Sequence, residues 1–153
     1  MKILGKKGLG QILKVFLIIA FILAIPTIIC LPLIMNHMKM VNSMVVIYPN
    51  GLLMLGLTYQ FIGMFKSLEE NRPFTLRNVN LLRKAGYISL FMSLVWLFDL
   101  LYLVFVIHNT YFNYILVFTF LMVLFFGVFI ALYILSEMIK QATIYKEEND
   151  LTI

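Results

Sequence analysis

From Val15 to Met35 the chain carries no charged residue. A helix that crosses the hydrocarbon core of a bilayer needs about 20 apolar residues, so this run is read as a first transmembrane helix over residues 15–35. The stretch before it holds Lys2, Lys6, Lys7 and Lys14 with Gly5, Gly8 and Gly10 between them, and so resembles the start of a secretory signal. The apolar run is longer than the roughly 7–15 residues of a signal's hydrophobic region, and no small-x-small cleavage site follows, so a retained anchor is expected. Pro26 and Pro32 each remove one backbone hydrogen bond, which predicts a kink in the outer half.

The pattern repeats along the chain. Three further spans are read at about residues 44–65, 85–107 and 114–135, with an outer loop at 36–43, a tight outer turn at 108–113 and a polar tail at 142–153. Lys66 to Lys84 is the longest polar segment between apolar blocks. Hydrophobic residues make up 63% of the chain and charged ones 12%. A soluble domain has about 45–50% and about 25%, so lipid is expected to solvate much of this one. The single cysteine, Cys30, forms no intrachain disulfide. The net charge of +5 invites nucleic acid as a partner, but its placement argues against direct nucleic-acid binding. Eleven of the twelve basic residues fall at the N-terminus, in the 66–84 loop or after the fourth span, and only Lys39 lies on the other side. Positive charge stays cytoplasmic. The expected fold is therefore an all-α integral membrane four-helix bundle forming one domain over 1–153. Two helical hairpins are joined by a cytoplasmic loop, and both termini face the cytoplasm of a multi-pass cell-membrane protein.

Several local signals sharpen this. Pro49 stands either near the first turn of the second helix, where a missing N–H is harmless, or inside a longer, kinked one. Gly56 and Gly63 are seven apart and share a helix face, as Gly127 and Ala131 do, and small residues let helices approach closely in lipid. Pro73 pushes the residue before it out of the α region. Thr75 then reads as an N-cap with Asn78 at the third helical position, a partial capping box, and Phe74 and Val79 occupy the staple positions. The third helix is thus predicted to start near Leu76, with Leu76, Val79 and Leu82 as its apolar stripe. The fourth is extended to about Gln141, leaving residues 142–153 as a mobile tail.

KILGKKGL at Lys2 to Leu9, RPFT at Arg72 to Thr75, LLRKAGY at Leu81 to Tyr87 and KEENDLTI at Lys146 to Ile153 occur in this order. With four spans and this length they resemble a family of small bacterial membrane proteins, domain of unknown function number two-nine-seven-five. The resemblance covers essentially the whole chain. The family often has an acidic residue where this chain has Arg77. The resemblance implies no activity. It does imply encoding beside a small helix-turn-helix regulator of the Xre type, and hence a soluble transcriptional regulator as partner.

Asp99 is the one acidic residue deep in a span. Fourteen residues past Ala85, at about 1.5 Å each, it lies about 21 Å into a core roughly 30 Å thick. Such residues face the bundle interior. It serves either as a proton-linked or ligand-binding carboxylate, or as a structural one bonded to a Tyr, Thr or Asn of another helix. Glu137, at the cytoplasmic end of the fourth helix, is expected to pair with a loop Arg or Lys. The outer loop offers Met35, His37, Met38 and Met40, soft ligands that suit copper(I), although Met is also a common apolar filler at membrane boundaries. No cofactor is expected.

In the cytoplasmic loop, Arg72, Pro73, Phe74, Thr75 and Arg77 form a candidate docking surface, because aromatic and Arg residues dominate hot spots. Glu147, Glu148 and Asp150 would meet basic residues on the partner. The structural alternative is that topology and attraction to anionic headgroups account for the loop's charge. No metal-ligand cluster, phosphate loop or nucleophile with a base partner stands out, so an enzyme is not expected. Three functions remain: a membrane-anchored interaction protein, a small transporter or channel subunit using Asp99, which requires a homo-oligomer, and an outer-face sensor of a metal, lipid or membrane-active peptide.

Overall fold

The computed structural model describes residues 9–37, 43–70, 73–105 and 112–151. Four helices account for almost all of them: α1 (Leu9–His37), α2 (Ser43–Glu69), α3 (Leu76–Phe105) and α4 (Phe112–Leu151). Among the described residues there is no strand. α1, α3 and α4 are long and apolar enough to cross a membrane.

Each helix begins earlier or ends later than its apolar run. α1 starts at Leu9 and continues through Pro26 and Pro32. Pro49 lies inside α2, so the longer of the two helices considered for this segment is the one that forms. Within the 66–84 segment, Lys66 to Glu69 close α2, while α3 begins at Leu76 as its cap predicts. α3 runs unbroken through Gly86. The largest difference is at the end: residues 142–151, expected to form part of a mobile tail, are helical. Glu, Lys, Gln, Ala and Met are good helix formers, so leaving the apolar region does not end the helix. With 40 residues at about 1.5 Å each, α4 is about 60 Å long, roughly twice the hydrocarbon core.

The helices run up and down. α1 packs on α2, α2 on α3 and α3 on α4, while α1 and α4 make no direct backbone approach among the described residues. The four-helix arrangement is therefore open along one side. Its centre is Leu82, Ala85 and Leu132, on which Leu57, Phe61, Met64, Val128 and Ile139 pack. The buried residues of α3 (Asn78, Val79, Leu82, Ala85, Gly86, Ser89, Met92, Ser93, Asp99 and Leu103) follow the helical period and form one seam, with half-buried Trp96 between Ser93 and Asp99. α1 is the opposite case. Phe16, Ile19, Ile22, Leu23, Ile29 and Leu33 are all exposed, which water would penalise but lipid solvates as well as a protein neighbour does.

Small residues set the close approaches. Gly56 faces Ile88 and Gly63 faces Leu81, so their shared face packs on α3 as expected. Gly51 meets Ile28 of α1 more tightly than either. A methyl on Gly127 would meet nothing within 4 Å among the described residues, and Ala131 beside it is exposed. That pair, expected to pack against a neighbouring helix, instead points outward. The hydroxyls of Thr27, Thr58 and Thr143 donate to Leu23 O, Met54 O and Ile139 O, each at 2.8 Å, so each is satisfied within its own helix.

Candidate functional site

Two places gather the chemistry-bearing residues. The first is the polar end, where the N-terminal parts of α1 and α3 meet the C-terminal parts of α2 and α4. Lys14 Nζ lies 2.6 Å from Glu69 Oε2 and ties α1 to α2. Arg83 pairs with Glu137 and ties α3 to α4, and Lys140 lies 4.0 Å from Glu137 on the same helix. Glu137 thus meets a basic residue of the 66–84 segment, as its position in the sequence predicts. Each of these pairs is partly exposed, and such pairs contribute roughly 0–1 kcal/mol. Their role here is to fix which helix ends lie side by side.

Between these anchors sits the short connection. The Asn78 N–H donates to Thr75 Oγ1 at 3.3 Å, which makes Thr75 the N-cap of α3. Asn78 Nδ2 donates to Pro73 O at 2.8 Å. A full capping box returns to the cap residue's own N–H. Here the shorter Asn side chain reaches two residues further back and fixes the turn from the other side. The staple differs from expectation: Val79 is 2% exposed but Phe74 is 45% exposed, so the ring does not share Val79's burial. Leu76 and Arg77 are exposed beside it, and Pro73 is half-buried. Arg72 lies outside the described residues. At the far end of α4, Glu147 and Glu148 are exposed, and the Asp150 side chain is outside the described residues. Met38 and Met40 of the outer loop also lie outside them, as do the side chains of Met35 and His37.

The second place lies near the opposite end. Asp99 is 8% exposed, and its Oδ2 accepts a hydrogen bond from Asn50 Nδ2 of α2 at 3.1 Å. The interior placement follows from the α3 seam: Met92, Asp99 and Leu103 fall on one face, and Trp96 stands between them. Asn50 also lines a cavity of about 330 Å³ to which all four helices contribute, with Ile28 on α1, Met92 and Trp96 on α3 and Leu121 and Phe125 on α4. Trp96 is held edge-on against Phe118 of α4, with ring centroids 5.2 Å apart. Ser93 Oγ donates to Met122 O at 3.0 Å close by. The sequence pointed to Asp99 and to the kind of partner it would find. It did not single out Asn50, Gly51 or Trp96. The available signal was that Asn50 and Asp99 are each strongly polar within an otherwise apolar run.

The family model described as Protein of unknown function (DUF2975) matches residues 11–153. The chain belongs to this family. Neither a curated protein nor a solved structure matches it. For this DUF2975 chain the match takes in both places just described, from Lys14 to the exposed end of α4. Among the described residues, no group of three or more His, Cys, Asp or Glu side chains is placed to hold a metal ion.

Proposed function

We propose that this DUF2975 protein is a multi-pass protein of the bacterial inner membrane whose polar end is a docking platform for a soluble partner. In this reading all four helices span, α2 included, because it lies between α1 and α3 with Glu69 level with Lys14. Both termini and the 70–75 connection are cytoplasmic, in keeping with the eleven basic residues on that side. The partner is a helix-turn-helix transcriptional regulator, as the family resemblance implies, and the protein acts by holding it at the membrane without catalysing a reaction.

The observation that carries the reading is Phe74. It is exposed next to Leu76 and Arg77 on a turn fixed by the Thr75 and Asn78 bonds. A preorganised aromatic with a neighbouring Arg is the composition of an interface anchor. The exposed acidic residues of α4, Glu147 and Glu148, supply complementary charge for a basic partner.

The test is affinity recovery from native membranes. Phe74→Ala and Arg77→Ala should each lower recovery of the co-eluting regulator at least about fivefold (roughly 1 kcal/mol), with the membrane protein itself recovered at the wild-type level. Unchanged recovery of the regulator overturns the docking role. The topology is tested separately with Arg77→Cys in a Cys30→Ser background: a reagent that cannot cross the bilayer should label it only after permeabilisation.

A further inference from the structure

The cavity beside Asn50 has no part in docking at the polar end. We propose that it is a binding site for a lipophilic cation, a small organic ammonium carrying an aromatic or aliphatic body. Its volume of about 330 Å³ is at the lower end of ligand pockets, about 300–1,000 Å³. It is about twice the engineered 150 Å³ cavity that admits benzene. α1 and α4 both wall the cavity but make no close backbone approach to each other among the described residues. The cavity is open rather than enclosed, and the side chains that α1 and α4 give it, Ile28, Leu121 and Phe125 among them, are apolar. A molecule dissolved in the bilayer enters there without crossing a polar surface.

The exposed walls are apolar, so the ligand's charge is selected by the aromatic faces and by what stands behind the wall. Trp96 and Phe125 contribute aromatic rings, and Met92 a polarizable thioether. A cation over the face of Trp is the strongest of the cation–π pairings. Behind the wall stands the Asp99 carboxylate, one side chain away through the Asn50 amide. The ion pairs among the described residues all lie at the other end of the molecule, and none reaches Asp99. Intramembrane carboxylates are costly and are usually matched by an opposite charge or a polar partner. Among the described residues, a neutral occupant leaves this one with the Asn50 amide as its partner. A cation seated against Asn50 supplies the opposite charge across a short, poorly screened distance.

The chain contains one tryptophan, Trp96, so with a tryptophan-free scaffold protein around the lipid the indole emission reports on this cavity. The full chain in zwitterionic lipid nanodiscs is titrated with (4-bromobenzyl)trimethylammonium, whose bromine quenches indole emission. A parallel titration uses its uncharged carbon isostere, 1-bromo-4-(2,2-dimethylpropyl)benzene, and half-points are expressed as probe per lipid. The cation should quench saturably at least about tenfold below the isostere, and Asp99→Asn should bring the two to within about twofold. Equal quenching by both probes means that any apolar filler, a lipid tail included, occupies the site, and this overturns the proposal. So does an Asp99→Asn protein that keeps the preference. If Asp99→Asn is not recovered folded, Leu121→Phe decides, since it fills the cavity from α4. It should raise the cation's half-point at least about fivefold, and an unchanged half-point overturns the proposal. Phe74→Ala should leave every curve unmoved, which separates this site from docking at the polar end.

Discussion

Replacing Gly51 with alanine would place a methyl carbon 2.7 Å from Ile28 Cγ1, 3.0 Å from its Cδ1 and 3.1 Å from its Cγ2. Carbon atoms are most favourable at about 3.5–4.0 Å, so all three contacts are repulsive. Ile28 cannot swing away, because a β-branched side chain in a helix is held to essentially one χ1 rotamer. α1 must therefore back off α2, an overpacking cost of about 1–3 kcal/mol. Ala also gains about 0.8–1.0 kcal/mol over Gly in helix propensity, so the net change for Gly51→Ala alone is only about 0–2 kcal/mol and decides little. Gly127→Ala provides the reference, since nothing lies within 4 Å of the new methyl and it takes the propensity gain alone. The difference between the two variants isolates the packing cost and should be about 1–3 kcal/mol, read from equilibrium unfolding in mixed micelles. Ile28→Ala should cost less in the Gly51→Ala background than in wild type, because there it also relieves the clash. If Gly51→Ala and Gly127→Ala shift the midpoint equally, or if Ile28→Ala costs the same in both backgrounds, the account of the α1–α2 contact is wrong.

Two further outcomes follow from single bonds. Asn50→Leu removes the donor to a buried carboxylate and should cost about 1–3 kcal/mol, whereas Asn50→Leu with Asp99→Leu should lie closer to wild type, because both polar groups then leave together; the same unfolding assay reads both, and a double variant worse than the single one contradicts the pairing. Thr75→Ala should cost about 1 kcal/mol through the lost cap and should raise amide hydrogen exchange at Arg77 and Asn78, while Thr75→Ser should leave it near wild type; equal exchange in all three proteins would mean that the cap does not hold the turn.

What was legible in the sequence was local or periodic. The cap at Thr75 could be read because Pro, Thr and Asn act on neighbouring backbone through short bonds. The four helices could be read because uncharged runs of this length have little alternative. Three features could not be read, each for its own reason. Gly127 and Ala131 share a face, but spacing says nothing about whether a neighbour lies opposite. Polarity after Leu135 marks where an apolar run ends, while helix formation depends on propensity, and the two were taken together. Asp99 could be expected to face inward, but choosing Asn50 over other polar side chains requires the relative height of two helices. That height is set largely by where Gly56 meets Ile88 and Gly63 meets Leu81.

The uninterrupted course of α4 has a mechanical consequence. Leu121 and Phe125 at the cavity and Glu147 and Glu148 at the far tip belong to one rod with no joint between them. From Leu121 to Leu151 that rod is roughly 45 Å long at about 1.5 Å per residue. A lean of about 5° where a guest presses on Leu121 moves the tip by about 4 Å, more than the length of a hydrogen bond. Whatever grips the tip would feel occupancy at the other end of the molecule, with no chain of side-chain rearrangements to carry the message.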